Sequence, residues 1–345
     1  MAEMTLNKKH PLYQEDIDRV LSIKGLEIFK GKRFLITGAT GLIGVHLIDV
    51  LMHLGQVRVI AVGRNEDNAR KRLGECFGNS DFSYIEQDVI NPFSKELEVD
   101  YIIPLASNTH PLAYSKYPVE TIMINVKGAE HALNLARECG ATVLYPSSVE
   151  VYGNSDSQEP IREDYTGSLT LSNARSCYTE SKRVCEAMCQ SYLAESGVNT
   201  KIVRLSRVFG PTMLESDSKA SSQFIKNAIA GEDIILKSEG NQLFSYTYVA
   251  EAVAAMLCVL CFGEVGVAYN ISSEKCNVRL KDFAQICAGC VGKDVVFDFP
   301  TSVEFKGYSV AMNAVLDNSR LKSLGFDSMY EFPDSVYRTI EILKY

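Results

Sequence analysis

A chain of 345 residues with 46% hydrophobic and 23% charged content can bury a sizeable core, which excludes disorder as its dominant state. A formal net charge of -8 and the lack of any long Lys or Arg run exclude a nucleic-acid or lipid footprint, so no nucleic acid and no membrane is expected as partner. Met1 to His10 is polar, and no later segment reaches the roughly 18 apolar residues of a membrane span, so the expectation is a soluble cytoplasmic protein binding a small molecule.

Tyr13, Ile17, Val20 and Leu21 have helical spacing, which predicts an amino-terminal helical arm over residues 1–30. From residue 32 the pattern becomes regular. A strand at Phe34 to Thr37 leads through a Gly-rich turn into a helix from about Leu42 to Leu54, and a second strand follows at Val57 to Val62. Further strands are predicted at Phe82 to Ile85, Tyr101 to Leu105, Thr142 to Tyr145 and Lys201 to Leu205, with helices at Thr121 to Glu138 and Tyr178 to Ser196. Such alternation implies parallel βαβ units with right-handed crossovers. The predicted fold is α/β: a Rossmann-type doubly wound parallel sheet over residues 31–210, with a smaller mixed α/β region over 211–345 that is mostly substrate-binding. Ten cysteines without a secretion signal argue for free thiols, and the pairs Cys258/Cys261 and Cys287/Cys290 lie in apolar or helix-like stretches rather than polar turns. They read as small buried hydrophobes, and no metal is expected.

The segment Thr37-Gly38-Ala39-Thr40-Gly41-Leu42-Ile43-Gly44 follows a predicted strand and opens a predicted helix. Gly38 can permit the tight turn, Gly41 can let backbone approach a pyrophosphate, and Gly44 can let helix and strand pack closely. With Thr40, Leu42 and Ile43 at the helix amino terminus, unpaired N–H groups meet the anion of a nicotinamide dinucleotide. The second strand ends in Gly63-Arg64-Asn65, without a carboxylate for the ribose hydroxyls. Arg64 can pair with the 2′-phosphate of NADP or stack on adenine as a solvated residue, so NAD and NADP both stay open.

Tyr178-Thr179-Glu180-Ser181-Lys182 places a phenol and an ammonium four apart, on one helix face. A nearby cation favours the phenolate, so the pair can take a proton from a carbinol while hydride leaves for nicotinamide. Without the glycine turn, the same pair reads as a core tyrosine beside a surface lysine. Ser147-Ser148 ends the strand predicted at 142 to 145.

The TGxxGxxG spacing resembles the extended short-chain dehydrogenase/reductase family. Further stretches are similar to UDP-glucuronate decarboxylases and, more distantly, nucleotide-sugar 4,6-dehydratases, over about residues 32 to 290. They are Leu105-Ala106-Ser107, Pro118 to Ile122 with Asn125, Val126 and Gly128, Ser148-Val149-Glu150-Val151-Tyr152-Gly153, Arg175 to Tyr178 with Lys182-Arg183, Phe209-Gly210-Pro211, and Tyr248-Val249. The resemblance implies that Asp88-Val89 contacts adenine, although Asp88 also reads as a turn residue, and that Leu105-Ala106-Ser107 walls the cofactor. It also implies that Ser148 hydrogen-bonds the reacting oxygen, that Glu150 acts as a second base or positions water, and that Asn125 supports Lys182 through water. For Glu150 the plain alternative is a strand-end carboxylate capping the next turn. Tightly bound NAD and a homodimer built through a four-helix interface follow by the same resemblance.

Two departures matter. Val149 stands where dehydratases carry the Asp that protonates the leaving hydroxyl, and Phe244 stands where decarboxylases carry an arginine. Arg207, at a position usually Asn, can compensate from another direction, and Arg207, Gln223 and Phe244 are candidate substrate contacts. The expected function is NAD(P)-dependent modification of a nucleotide sugar, of epimerase, dehydratase or decarboxylase type, by transient oxidation of a sugar hydroxyl. Alternatives are a reductase consuming NAD(P)H on a keto sugar or sugar phosphate, and a non-catalytic cofactor-binding regulator.

Overall fold

The computed structural model describes residues 4–109, 111–155, 159–299 and 313–344, so residues 1–3 of the expected arm and 300–312 of the carboxyl-terminal region lie outside the described residues. Helix α1 (Pro11–Leu21) begins at a proline, with the His10 side chain accepting from Leu12 N–H. Then come β1 (Arg33–Thr37), α2 (Leu42–Leu54), β2 (Arg58–Gly63), α3 (Glu66–Leu73), β3 (Phe82–Glu86), β4 (Tyr101–Pro104), α4 (Pro111–Lys116), α5 (Pro118–Cys139), β5 (Thr142–Ser148), α6 (Ser176–Ser196) and β6 (Thr200–Leu205). The remainder supplies β7 (Arg207–Phe209), α7 (Ala220–Ala230), β8 (Ile234–Leu236), β9 (Leu243–Tyr248), α8 (Val249–Phe262), β10 (Ala268–Ile271), β11 (Asn277–Arg279), α9 (Leu280–Val291), β12 (Val295–Phe297), β13 (Asn313–Ala314), α10 (Ser319–Lys322) and α11 (Phe332–Leu343).

Seven strands form one parallel sheet in the order β10-β6-β5-β4-β1-β2-β3. The chain winds outward from β1 in both directions, so the carboxyl ends of β1 and β4 flank the point where the winding reverses, where open α/β sheets bind ligands. The strands β4 and β5 pair only at Tyr101–Thr142 and Ile102–Val143, whereas β5 stays in register with β6 as far as Ser148–Leu205. Beyond Val143 the strands part. Pro104 and Pro146, which carry no N–H, lie along this gap two and three residues beyond the last pair.

The sheet is not confined to residues 31–210. Its seventh strand, β10, lies far beyond that boundary and pairs with β6 from Ala268–Ile202 to Ile271–Leu205. Asn270 interrupts the apolar pattern of this short strand, yet it is fully buried, with its amide donating to Ile161 O and Asp317 O and accepting from the Tyr152 hydroxyl. A second sheet runs β11-β9-β13, with β7 also paired to β9 so that Arg207 lies opposite Tyr246. Strands β8 and β12 form a separate pair.

The arm is equally integrated. Asp16 of α1 is buried and accepts hydrogen bonds from the Tyr248 hydroxyl (2.6 Å), the Tyr330 hydroxyl (2.9 Å) and Arg338 Nη1 (2.9 Å). Burial pushes this carboxyl up to about 6 against the pull of those donors. All ten cysteines are free thiols, and the two CxxC pairs lie within α8 and α9, where burial pushes their thiols up. Among the described residues, no helix is long and apolar enough to cross a membrane.

Arg338→Met is expected to cost about 3–5 kcal/mol, because it leaves the Asp16 carboxyl buried without its cation. Urea unfolding measures this, and a loss below about 1 kcal/mol would show that the ion pair does not hold the arm.

Candidate active site

The turn after β1 requires its glycines for three different reasons. Gly38 has a left-handed φ of 62°, and an added Cβ would lie 2.7 Å from Ala106 N. A Cβ on Gly44 would lie 2.9 Å from Ala39 C and run into Gly38 O, so α2 could not sit down on the turn. At Gly41 the only neighbour would be Gly38 O, at 3.1 Å, which leaves this position open to a ligand. No side chain caps α2, so its first-turn N–H groups, at Leu42 and Ile43, are available to an anion. Thr40 is partly exposed beside them. Thr37 Oγ1 accepts from Ala106 N at 3.1 Å and so ties the segment Leu105-Ala106-Ser107 to the turn. This cradle fits the pyrophosphate of a dinucleotide.

Arg64 is exposed, with Nη1 3.5 Å from Glu120 Oε1. At the same strand ends Glu86 Oε2 accepts from Glu66 N at 2.7 Å. A 2′-phosphate on Arg64 would therefore compete with Glu120 and face further carboxylates. Asp88 Oδ1 accepts from Ile90 N at 3.1 Å, which is the turn role, while Val89 is buried against Gly128.

Tyr178 lies in the first turn of α6, and Lys182 follows one turn later on the same face. Lys182 is buried, and its Nζ donates to Pro146 O at 2.7 Å, 5.0 Å from the Tyr145 ring centroid and 6.0 Å from that of Tyr178. Burial pulls the ammonium down to about 8. A cavity of about 10 Å³ separates it from Asn125, Thr37 and Ala106. That is about the space of one water. The Asn125 amide donates to Ser181 Oγ at 2.8 Å, and its Oδ1 is buried without a partner.

Burial pushes the Tyr178 phenol well above its ordinary value, Glu150 and Tyr114 push the same way, and only a hydrogen bond with Ser148 opposes them. The cation is instead engaged by Pro146. Ser148 is buried at the end of β5, where its Oγ also accepts from Glu150 N at 3.2 Å. Glu150 Oε1 lies 4.0 Å from Arg207 Nη2. The Arg207 guanidinium carbon stands 3.6 Å above the ring centroid of buried Phe244. Gln223 sits on the exposed side of α7 and donates to Asn227 Oδ1, so its described contact lies outside this group.

Sequence reasoning missed Tyr114, whose buried ring stacks on Tyr178 with centroids 5.6 Å apart and planes 29° apart. Its only signal was a place in the chain after β4, on the side of the sheet where ligands bind. Among the described residues, no group of three or more His, Cys, Asp or Glu could hold a metal ion.

Gly41→Ala is expected to keep stability within about 1 kcal/mol while weakening dinucleotide binding, whereas Gly44→Ala is expected to cost more than about 2 kcal/mol. Thermal melts and fluorescence titration with NAD separate the two effects. The depressed Lys182 also predicts a pH dependence. Between about pH 8 and 10.5 the unfolded chain holds a proton that the folded protein has released, so stability rises with pH through this window. The slope should be at most about 1.4 kcal/mol per pH unit and should vanish in Lys182→Met. Parallel unfolding profiles for the two proteins at pH 8, 9 and 10 would contradict this assignment.

The sequence profile of the NAD dependent epimerase/dehydratase family matches residues 34–272. UDP-glucuronic acid decarboxylase 1 of Danio rerio is 34% identical over 290 residues, covering 84% of this chain and 65% of its own. That of Xenopus tropicalis is 36% identical over 230 residues, covering 66% and 53%. The chain thus spans from about half to just under two thirds of these relatives' length. Among solved structures, a UDP-glucuronic acid 4-epimerase from Bacillus cereus in complex with UDP-glucuronic acid and NAD superposes with a TM-score of 0.79 at 20% identity, covering 90% of this chain and 99% of its own. A dTDP-glucose 4,6-dehydratase from Streptomyces venezuelae with NAD bound gives 0.76 at 22% identity, covering 90% and 96%. These two likenesses speak for the fold. The profile match spans well over half of the sequence, and the chain belongs to the NAD dependent epimerase/dehydratase family.

Proposed function

We propose that this chain modifies a nucleotide sugar by transiently oxidising one of its hydroxyls with bound NAD. The observation that carries this reading is buried Lys182, its ammonium donating to Pro146 O at 2.7 Å beside the gap between β4 and β5, with the Tyr178 phenol one turn earlier on the same helix face. Bound NAD supplies the hydride acceptor and a positive ring charge that opposes the effect of burial on the phenol. Ser148 Oγ and Tyr178 Oη together hold the reacting hydroxyl. Tyr178 Oη takes its proton on oxidation and returns a proton on reduction, and Lys182 supports the charged form of the phenol electrostatically. Asn125 supports Lys182 across the small cavity between them.

Glu150 stands beside the reacting hydroxyl as a second base or as the group that positions water. Val149, buried beside it, can protonate no leaving group, and loss of general-acid help is typically worth roughly 10² to 10⁴ in rate, so ordinary 4,6-dehydration is disfavoured. Epimerisation and decarboxylation are the reactions supported, and the relatives named UDP-glucuronic acid decarboxylases favour a UDP-sugar. The reductase alternative leaned on Arg64 as a phosphate ligand, and the contact of Arg64 with Glu120 supports NAD instead. A homodimer through α5 and α6 fits the apolar residues exposed there, Val119, Ile122 and Met123 on α5 and Val184 on α6.

Tyr178→Phe is expected to lower turnover by roughly 10² to 10⁴ or more while leaving bound NAD unchanged. Product chromatography on a panel of UDP-sugars and mass spectrometry of the released dinucleotide measure the two quantities. Wild-type turnover in the variant would remove the phenol from the mechanism.

A further inference from the structure

We infer that Arg207, held flat on the Phe244 ring, is the specificity-determining residue that recognises a carboxylate on the sugar carbon next to the one oxidised. This inference rests on the nucleotide-sugar reading above and narrows it to uronic acids.

Parallel pairing of β7 with β9 brings Arg207 opposite Tyr246, two residues from Phe244 on the same strand. The guanidinium carbon then lies 3.6 Å above the Phe244 ring centroid. An aromatic face fixes the plane of a guanidinium without taking any of its N–H donors. Glu150 is too distant, at 4.0 Å, to form a hydrogen bond with it. Arg207 Nη1 is buried and has no hydrogen-bond partner among the described residues. A buried charged donor without an acceptor calls for an explanation, and an anionic ligand provides one.

The location selects which anion. Glu150 N donates to Ser148 Oγ, and Ser148 and Glu150 both act on the Tyr178 phenol. Arg207 therefore belongs to the end of the site where the hydroxyl reacts. In a pyranose oxidised at carbon 4, the diphosphate on carbon 1 lies across the ring, whereas the substituent of carbon 5 is adjacent. A planar carboxylate there matches the guanidinium fork. Arg207 would also screen that carboxylate from Glu150, so the two anions can share one site.

Calorimetric titration of the NAD-loaded protein with UDP, UDP-glucose and UDP-glucuronate tests the assignment. The wild type is expected to bind UDP-glucuronate more tightly than UDP-glucose. In Arg207→Gln the affinity for UDP-glucuronate should fall roughly ten- to a hundredfold, with UDP and UDP-glucose changed by less than about twofold. Phe244→Leu, which keeps the buried volume but removes the ring, should weaken UDP-glucuronate alone by a few fold. Equal losses for all three ligands would place Arg207 on the diphosphate and overturn the inference. So would a wild type that binds UDP-glucose as well as UDP-glucuronate, although the nucleotide-sugar reading would then stand. A wild type that binds none of the three would remove both.

Discussion

The site depends on a strand pair that stops pairing. Past Ile102 and Val143 the pairing of β4 with β5 ends, while β4 stays in register with β1 as far as Pro104 and β5 with β6 as far as Ser148. The Pro146 carbonyl is thereby available to Lys182, whose buried ammonium must have an acceptor. Fixing Lys182 in turn orients α6 and places Tyr178 beside Ser148, at the end of the same β5 that carries Pro146. On the opposite side of the gap, the Thr37 hydroxyl holds the Ala106 amide and keeps the glycine turn against the end of β4.

The electrostatics around Tyr178 and Lys182 are set by burial. The phenol is held protonated and the ammonium is weakened, both by removal from water, which disfavours charge of either sign. Neither group is prepared for chemistry by the other alone.

Much of this architecture was legible in the sequence, because it is written in local patterns. Strands β1 to β6 are apolar runs bounded by turns, α2 begins where the glycine turn dictates, and Tyr178 and Lys182 share a face by spacing alone. What was not legible depends on partners distant in the chain. Strand β10 was hidden by Asn270, whose amide is satisfied only by Ile161, Asp317 and Tyr152. Phe244 looked like a lost cation, whereas it carries one that comes from Arg207. Spacing reports neighbours along a helix and says nothing of how much water is removed around them, so the effect of burial on Tyr178 could not be read from it.

The docking of α1 through Asp16 has a consequence for how the chain acquires its shape. Its partners Tyr248, Tyr330 and Arg338 stand 232, 314 and 322 positions further along. Closing loops of that size is slow, so the first helix cannot find its full set of partners until Arg338 has been synthesised. The seat of α1 is thus built from both ends of the described chain, unlike the βαβ units, whose contacts are local.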